Sequence, residues 1–170
     1  MKIEDDFLDQ SAFDELQFHI MSGKFSWFYR AAIDYPDEDE VDKFQFIHSF
    51  YDKSVPKSGS IEIMNSIVEK IDPITLFRIK ANLLTKTPDI IKNQFHIDIG
   101  DLENSPERLK QWTTSIFYVN TNNGYTEFED GTKIESVANR KVTFPSNIKH
   151  RGTSCTDEKR RIVINFNYFK

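Results

Sequence analysis

The last stretch of the chain alternates strictly between two sets of side chains. The apolar set consists of Ile162, Ile164, Phe166 and Tyr168. The opposite set consists of Arg161, Val163, Asn165 and Asn167. Because successive side chains of a β-strand point to opposite faces, this pattern predicts a strand from residue 161 to 169 with one face in an apolar core.

Further short segments carry strand signals. They cover residues 24–32, 44–50, 76–84, 112–120, 125–128, 132–135 and 141–144. The pair Asp130-Gly131 lies between two of these segments and is typical of a tight hairpin. Several short strands separated by turns predict an antiparallel sandwich or barrel, a class that includes the cupin jelly rolls.

Helical periodicity is confined to the N-terminal part of the chain. We predict one helix over residues 11–20, capped by Ser11, and a second helix after Ser60. A length of 170 residues suggests one domain. We therefore predict a mainly β fold with N-terminal helices, in which residues 1–75 support a core formed by residues 76–170.

The composition narrows the class of protein. No apolar run approaches the ~18 residues of a membrane-spanning helix, and the acidic N-terminus lacks the apolar region of a signal peptide. The single cysteine, Cys155, cannot form an internal disulfide, which favours a reducing cytoplasm. The net charge of −5 argues against nucleic acid as the first choice of partner, whereas the basic C-terminal part suits a small anionic ligand.

The segment Gln94–Gly100 contains a candidate metal-binding pair, His96 and Asp98. If the segment is a strand, these two side chains share one face and the neighbouring apolar side chains face a core. Such a pair alone is usually a surface pair, but His150 follows another predicted strand. Two histidines and one carboxylate form the donor set of non-haem Fe(II) oxygenases.

Arg161 is a candidate partner for a co-substrate. The metal site of these oxygenases leaves positions open for a 2-oxo acid and for oxygen, and the distal carboxylate of 2-oxoglutarate needs a buried cation. The planar guanidinium of arginine binds a carboxylate with two parallel hydrogen bonds. The alternative is a solvated residue at a strand start, the role that we expect for Arg160.

These residues carry a resemblance to a known family. The chain resembles the Fe(II)/2-oxoglutarate dioxygenases, particularly their prolyl 4-hydroxylase-like branch, over about residues 76–169. The metal motif of that family falls on His96, Asp98 and His150, and its co-substrate-binding basic residue falls on Arg161. The segment Ile116–Asn120 is similar to a strand of the oxygen-sensing prolyl hydroxylases and nominates Tyr118 as a further contact to the distal carboxylate.

The resemblance also has a viral aspect and one departure. The sequences of residues 26–29, 118–125 and 163–168 are similar to those of small oxygenases of bacterial viruses. Prolyl hydroxylases usually carry a tyrosine and a glycine-rich turn shortly before the metal motif, where this chain has residues 82–88 instead. Asn82 shares the polar face of the predicted strand 76–84 with Arg78 and Lys80, and it is our candidate for the missing contact.

The resemblance implies an oxygenase that uses Fe(II), 2-oxoglutarate and O2, with ascorbate as a candidate accessory reductant. We expect a peptide or protein substrate, hydroxylated at a proline, and loops at Tyr35–Lys43, Val55–Ser60 and Thr85–Asn93 that border the mouth of the site. Two alternatives stay open: a nucleobase demethylase acting on nucleic acid, and a cupin-like protein that binds a metal or anion without turnover. We expect a cytoplasmic location, which is the host cytoplasm if a virus encodes the chain, and no association with a membrane.

Overall fold

The computed structural model describes residues 1–33, 43–102 and 104–170. The acidic loop predicted at Tyr35–Lys43 therefore lies, except for Lys43, outside the described residues. The strands are β1 (Lys2–Glu4), β2 (Phe28–Arg30), β3 (Gln45–Asp52), β4 (Val55–Pro56), β5 (Thr75–Thr85), β6 (Thr113–Tyr118), β7 (Asn122–Phe128), β8 (Lys133–Ser136), β9 (Arg140–Pro145), β10 (His150–Gly152) and β11 (Arg160–Phe169). The helices are α1 (Gln10–Met21), α2 (Asn65–Ile71) and α3 (Pro106–Leu109), with 3-10 helices at Ile61–Met64 and Gly100–Leu102.

The described strands form two antiparallel sheets. The larger sheet has the order β1-β9-β6-β11-β5-β3-β2, with β4 paired to β3, and the smaller sheet has the order β10-β7-β8. The strictly alternating C-terminal segment is β11, which pairs with β5 on one side and β6 on the other. The chain is a jelly roll with an N-terminal helix, and this confirms the predicted fold class.

Two apolar clusters fill the two faces of the larger sheet. On the outer face, α1 and α2 pack against the predicted apolar side of β11, which includes Ile162, Ile164, Phe166 and Tyr168. Between the sheets, a smaller cluster includes Ile116, Phe128, Phe144 and Val163. Each fully buried side chain of this size contributes roughly 1.5–3 kcal/mol to the free energy of unfolding. The packed helices therefore stabilise the larger sheet, whose inner face carries the polar residues.

Two N-terminal predictions need correction. The strand predicted over residues 24–32 is shortened to β2, because Phe25 turns inward and its ring lies 4.5 Å from that of His48. The N-cap of α1 is Asp9 instead of Ser11, since the Asp9 carboxylate accepts a hydrogen bond from the Ala12 amide at 3.0 Å. No helix in the described ranges is long and apolar enough to cross a membrane.

Candidate active site

The first metal-binding candidate lies on an irregular segment between β5 and the second 3-10 helix. Residues 94–99 do not form a strand, and only His96 makes a bridge, to His150 at the start of β10. The backbone amides and carbonyls of these two residues exchange hydrogen bonds of 3.0 and 3.1 Å. The predicted strand is therefore wrong, and Ile97 lines the same cavity as its neighbours instead of facing a core.

The two imidazoles are oriented by backbone carbonyls. Nδ1 of His96 lies 3.2 Å from the carbonyl oxygen of Gln94, and Nδ1 of His150 lies 3.4 Å from that of Ile148. Burial lowers the pKa of the His150 imidazole to about 4, although the nearby Asp98 carboxylate works in the opposite direction. His150 is thus neutral at pH 7, and a proton on Nδ1 leaves the Nε2 lone pair as the donor to a metal.

The three candidate ligands converge. One donor atom from each of His96, Asp98 and His150 lies within 4.8 Å of the others. Nε2 of His96 is 3.9 Å from Oδ1 of Asp98, and the two imidazole centroids are 4.8 Å apart. Two imidazoles and one carboxylate are the donor set of a ferrous facial triad, so the residues present fit that ion.

Asp98 is buried and held from the side of the larger sheet. Asn167 donates a hydrogen bond to Oδ2 at 3.1 Å, and Asn165 donates weakly to both oxygens at 3.3 and 3.4 Å. Nη2 of Arg78 lies 3.0 Å from Oδ1. Burial raises the pKa of the Asp98 carboxyl, but the charge of Arg78 and the two imidazoles outweigh it and hold that pKa below its usual range. The carboxylate is therefore ionised.

Arg161 lies in the same cavity at the start of β11 and is 97% buried, with 3% of its surface exposed. Its Nε donates to Ser136 Oγ at 2.8 Å, and its Nη2 donates to Thr126 Oγ1 at 3.2 Å. No carboxylate among the described residues forms an ion pair with this guanidinium. Burial lowers the pKa of Arg161, but a guanidinium titrates so high that it stays charged. A buried, charged arginine of this kind is suited to an anionic ligand.

Thr126 connects Arg161 to Tyr118. The Tyr118 hydroxyl, whose pKa is raised by burial, donates to Thr126 Oγ1 at 2.8 Å. Thr126 Oγ1 thus accepts two hydrogen bonds, one from Tyr118 and one from Arg161. A hydroxyl group has one hydrogen to donate and two lone pairs to accept with, so the Thr126 hydrogen is left to point to a ligand.

Two glycines make room for the arginine side chain. A Cβ atom on Gly124 would lie 2.6 Å from Arg161 Cδ and 2.6 Å from the Ser154 carbonyl oxygen. A Cβ atom on Gly152 would lie 3.3 Å from Arg161 Nη1. Because Gly124 on β7 and Gly152 on β10 have no side chain, the guanidinium of Arg161 can pass between the sheets.

A cavity of about 250 Å³ collects these groups between the two sheets. Five of the six residues that the sequence nominates line it: Asn82, His96, Asp98, His150 and Arg161. Tyr118 is fully buried behind Thr126 and is not among the described residues of the lining. Arg78 and Lys80 line the cavity together with Asn82, as the shared polar face of β5 predicts.

No protein-family model matches the chain, and no curated protein matches its sequence. Solved structures do match. A prolyl hydroxylase from Trichoplax adhaerens, in complex with a hypoxia inducible factor peptide fragment, has a TM-score of 0.67 at 16% identity over 99% of this chain and 82% of its own. The viral collagen prolyl hydroxylase of Paramecium Bursaria Chlorella virus-1 has a TM-score of 0.60 at 15% identity over 99% and 89%. A non-heme alpha ketoglutarate dependent carbocyclase from nogalamycin biosynthesis, SnoK, has a TM-score of 0.67 at 12% identity over 99% and 78%.

The chain has the fold of the 2-oxoglutarate–Fe(II) oxygenases. The resemblance predicted from the sequence is thereby confirmed at the level of the fold, and prolyl hydroxylases are among the similar structures. Identities this low establish the fold alone, because one fold can carry many reactions. The activity must follow from the residues of the site.

The sequence did not nominate five residues that contact the proposed site residues: Arg78, Thr126, Ser136, Asn165 and Asn167. Thr126 and the two asparagines of β11 contact the predicted residues directly, and Arg78 pairs with Asp98. The alternation of β5 and β11 does place Arg78, Asn165 and Asn167 on the correct faces. Thr126 has no such signal, because a threonine in a strand is ordinary.

Proposed function

We propose that this protein is an Fe(II)- and 2-oxoglutarate-dependent oxygenase that hydroxylates an organic substrate. One observation carries the proposal. A cluster of two histidines and one carboxylate shares a cavity of about 250 Å³ with a buried guanidinium that has no carboxylate partner among the described residues. The cluster suits a ferrous ion, and the guanidinium suits the distal end of a dicarboxylate.

His96, Asp98 and His150 are the proposed metal ligands and catalytic residues. A ferrous ion bound there with a 2-oxo acid supplies oxygen activation, which no side chain of the protein can perform. The chain itself fixes the ligands. Backbone carbonyls keep the proton of each imidazole on Nδ1, and the asparagines of β11 hold the Asp98 carboxylate toward the imidazoles.

Arg161 is the proposed anchor for the distal carboxylate of 2-oxoglutarate. Its two Nη atoms offer the planar fork, while its Nε is held by Ser136. Thr126 adds a hydroxyl donor beside the fork, and Tyr118 supports Thr126 from behind. Asn82 on β5, which pairs with Val163 of the neighbouring strand β11 in the same sheet, is the proposed replacement for the contact that prolyl hydroxylases usually make through a tyrosine.

A peptidyl proline is the proposed substrate. A second cavity of about 380 Å³ shares Ile33, Leu84 and Asn93 with the first and is bordered by the loop at Thr85–Asn93. Two adjoining cavities with shared lining residues suit an extended chain better than a compact metabolite. Prolyl hydroxylases among the similar structures favour the same choice. The described residues of Val55–Ser60 line neither cavity, so that part of the predicted mouth has no support here.

The proposed setting is a reducing cytoplasm. Cys155 is free and fully buried, and burial raises the pKa of its thiol. A buried thiol with a raised pKa is a poor nucleophile and stays reduced easily, which suits that setting.

The test is a turnover screen with Fe(II), 2-oxoglutarate and ascorbate against proline-containing peptides, methylated oligonucleotides and free amino acids. We expect oxygen-dependent succinate release and a peptide that gains the mass of one oxygen atom. Demethylation of an oligonucleotide without peptide modification would replace proline by a nucleobase. Metal binding without any succinate release would instead indicate a cupin-like binding protein.

A further inference from the structure

The Asp98 carboxylate has two kinds of partner, the side-chain amides of β11 and the guanidinium of Arg78. The amide of Asn167 donates to Oδ2 at 3.1 Å, and the amide of Asn165 lies across both oxygens. The guanidinium of Arg78 approaches Oδ1 at 3.0 Å. Oδ1 is also the oxygen that lies 3.9 Å from Nε2 of His96. The Arg78 guanidinium therefore contacts the same carboxylate oxygen that lies near the His96 imidazole.

The contact between Arg78 and Asp98 is held by charge rather than by a directed hydrogen bond. Nη2 of Arg78 is buried and finds no hydrogen-bond partner of acceptable geometry among the described residues, although Oδ1 is only 3.0 Å away. The side chain is anchored through another atom, since its Nε donates to Asn167 Oδ1 at 3.0 Å. Arg78 thus places a positive charge beside Oδ1 without donating a directed hydrogen bond to it, and the hydrogen bonds to the Asp98 carboxylate come from Asn165 and Asn167.

This charge matters for a dication. Charges a few ångströms apart interact more strongly inside a protein than in water, and a divalent ion doubles the effect of a unit charge. Arg78 cancels the one negative charge of the donor set, because both histidines are neutral when they bind a metal. A dianionic chelator in the same cavity would restore the missing negative charge.

We propose that Arg78 is a positioning residue that acts through Asp98 and makes divalent-metal binding depend on the anionic co-substrate. It weakens the hold of the three ligands on the ion until 2-oxoglutarate supplies compensating charge. The inference rests on the proposed metal site and co-substrate. The two possible roles of Arg78 predict opposite changes in metal affinity. Loss of a supporting residue weakens metal binding, whereas loss of a competing positive charge strengthens it.

The test measures Mn(II) affinity of the full chain by calorimetry, with and without 2-oxoglutarate, because Mn(II) avoids turnover. Arg78→Met removes the charge and keeps most of the bulk, whereas Arg78→Lys keeps the charge as a matched control. Without 2-oxoglutarate, we expect Arg78→Met to bind Mn(II) about tenfold tighter or more than the wild type. Arg78→Lys should stay within about threefold of the wild type.

A second readout is the enhancement of Mn(II) binding by 2-oxoglutarate. By linkage, the enhancement should shrink in Arg78→Met and persist in Arg78→Lys. Unchanged or weaker Mn(II) binding by a folded Arg78→Met would overturn the inference and leave the proposed function standing. If circular dichroism shows that Arg78→Met is unfolded, Arg78→Gln serves in its place with the same expected result. No Mn(II) binding by the wild type, even with 2-oxoglutarate, would overturn the metal site and this inference together.

Discussion

The imidazole rings of His96 and His150 lie 4.8 Å apart, and two backbone hydrogen bonds join the residues that carry them. The residue before His96 also contacts the residue after His150, since the Arg151 guanidinium lies over the Phe95 ring at 4.2 Å. Arg151 is in turn held by Glu127 at 2.7 Å. The bridge and the outer contact together fix the spacing of the two histidines, although only one of them lies in a strand.

Replacement of Asp98 by asparagine should abolish most metal binding. Asparagine keeps the shape but loses the charge and the stronger donor oxygen, so Mn(II) or Fe(II) affinity should fall by about 100-fold or more. Asparagine is preferable to alanine, because it keeps the side-chain volume and an oxygen that can still accept the hydrogen bond of Asn167, whereas both replacements remove the charge partner of Arg78. Asp14→Asn on the exposed face of α1 is the matched control. Stoichiometric iron in purified Asp98→Asn, measured by elemental analysis, would sink the assignment.

Replacement of Arg161 by alanine should weaken 2-oxoglutarate binding by well over tenfold. Loss of a charge-assisted pair to a buried carboxylate costs ~2–5 kcal/mol. Arg160→Ala is the neighbouring control, since the Arg160 guanidinium donates to the Met21 carbonyl oxygen at 2.8 Å and points away from the cavity toward α1. Calorimetry of both variants is the measurement. Full affinity in Arg161→Ala together with a large loss in Arg160→Ala would show that the wrong arginine is assigned.

The strands were the more predictable part of the structure. In β11 the alternation runs without interruption, so both faces follow directly from the sequence. The hairpin between β7 and β8 was equally predictable from Asp130-Gly131, because Gly131 adopts a φ of 85°, a conformation that favours glycine. The sequence of residues 94–99 alternates in the same way, yet within that segment only His96 forms a β-bridge, to His150. Alternation reports which residues share a face if a strand forms, and it does not report whether a pairing partner is present.

The convergence of His96, Asp98, His150 and Arg161 on one cavity could be predicted because a family motif carries these residues, but their partners could not. The pair Arg78 and Asp98 depends on how an irregular segment crosses β5, which no local pattern encodes. Thr126 lies opposite Gly152 in the register of β7 and β10, so its approach to Arg161 depends on the packing of the two sheets. Relations across sheets require the tertiary structure.

Thr126 should prove to be a co-substrate contact. Thr126→Val preserves the shape and removes the hydroxyl, so it deletes one donor to the ligand and one acceptor for Arg161. We expect 2-oxoglutarate affinity to fall about tenfold, equivalent to about 1–3 kcal/mol for a buried polar group left unpaired. Tyr118→Phe, which removes only the support behind Thr126, should cost less. Thr143→Val is the control, since Thr143 does not line the cavity and its Oγ1 lies 2.8 Å from Ser115 Oγ. Equal affinities in Thr126→Val and Thr143→Val would contradict this role.

Gly124 should be required for the position of Arg161 rather than for the turn before β7. A methyl group at residue 124 would meet both Arg161 Cδ and the Ser154 carbonyl oxygen at 2.6 Å, and neither the sheet backbone nor the buried side chain can yield freely. Gly124→Ala should therefore lower the free energy of unfolding by about 1–3 kcal/mol, the usual cost of overpacking. It should also weaken 2-oxoglutarate binding, because the guanidinium is displaced from Ser136 and Thr126. Gly59→Ala is the matched control, since nothing lies within 4 Å of its Cβ position. Thermal denaturation and calorimetry on both variants separate the two effects, and a Gly124→Ala protein with unchanged co-substrate affinity would show that Arg161 does not anchor the ligand through this geometry.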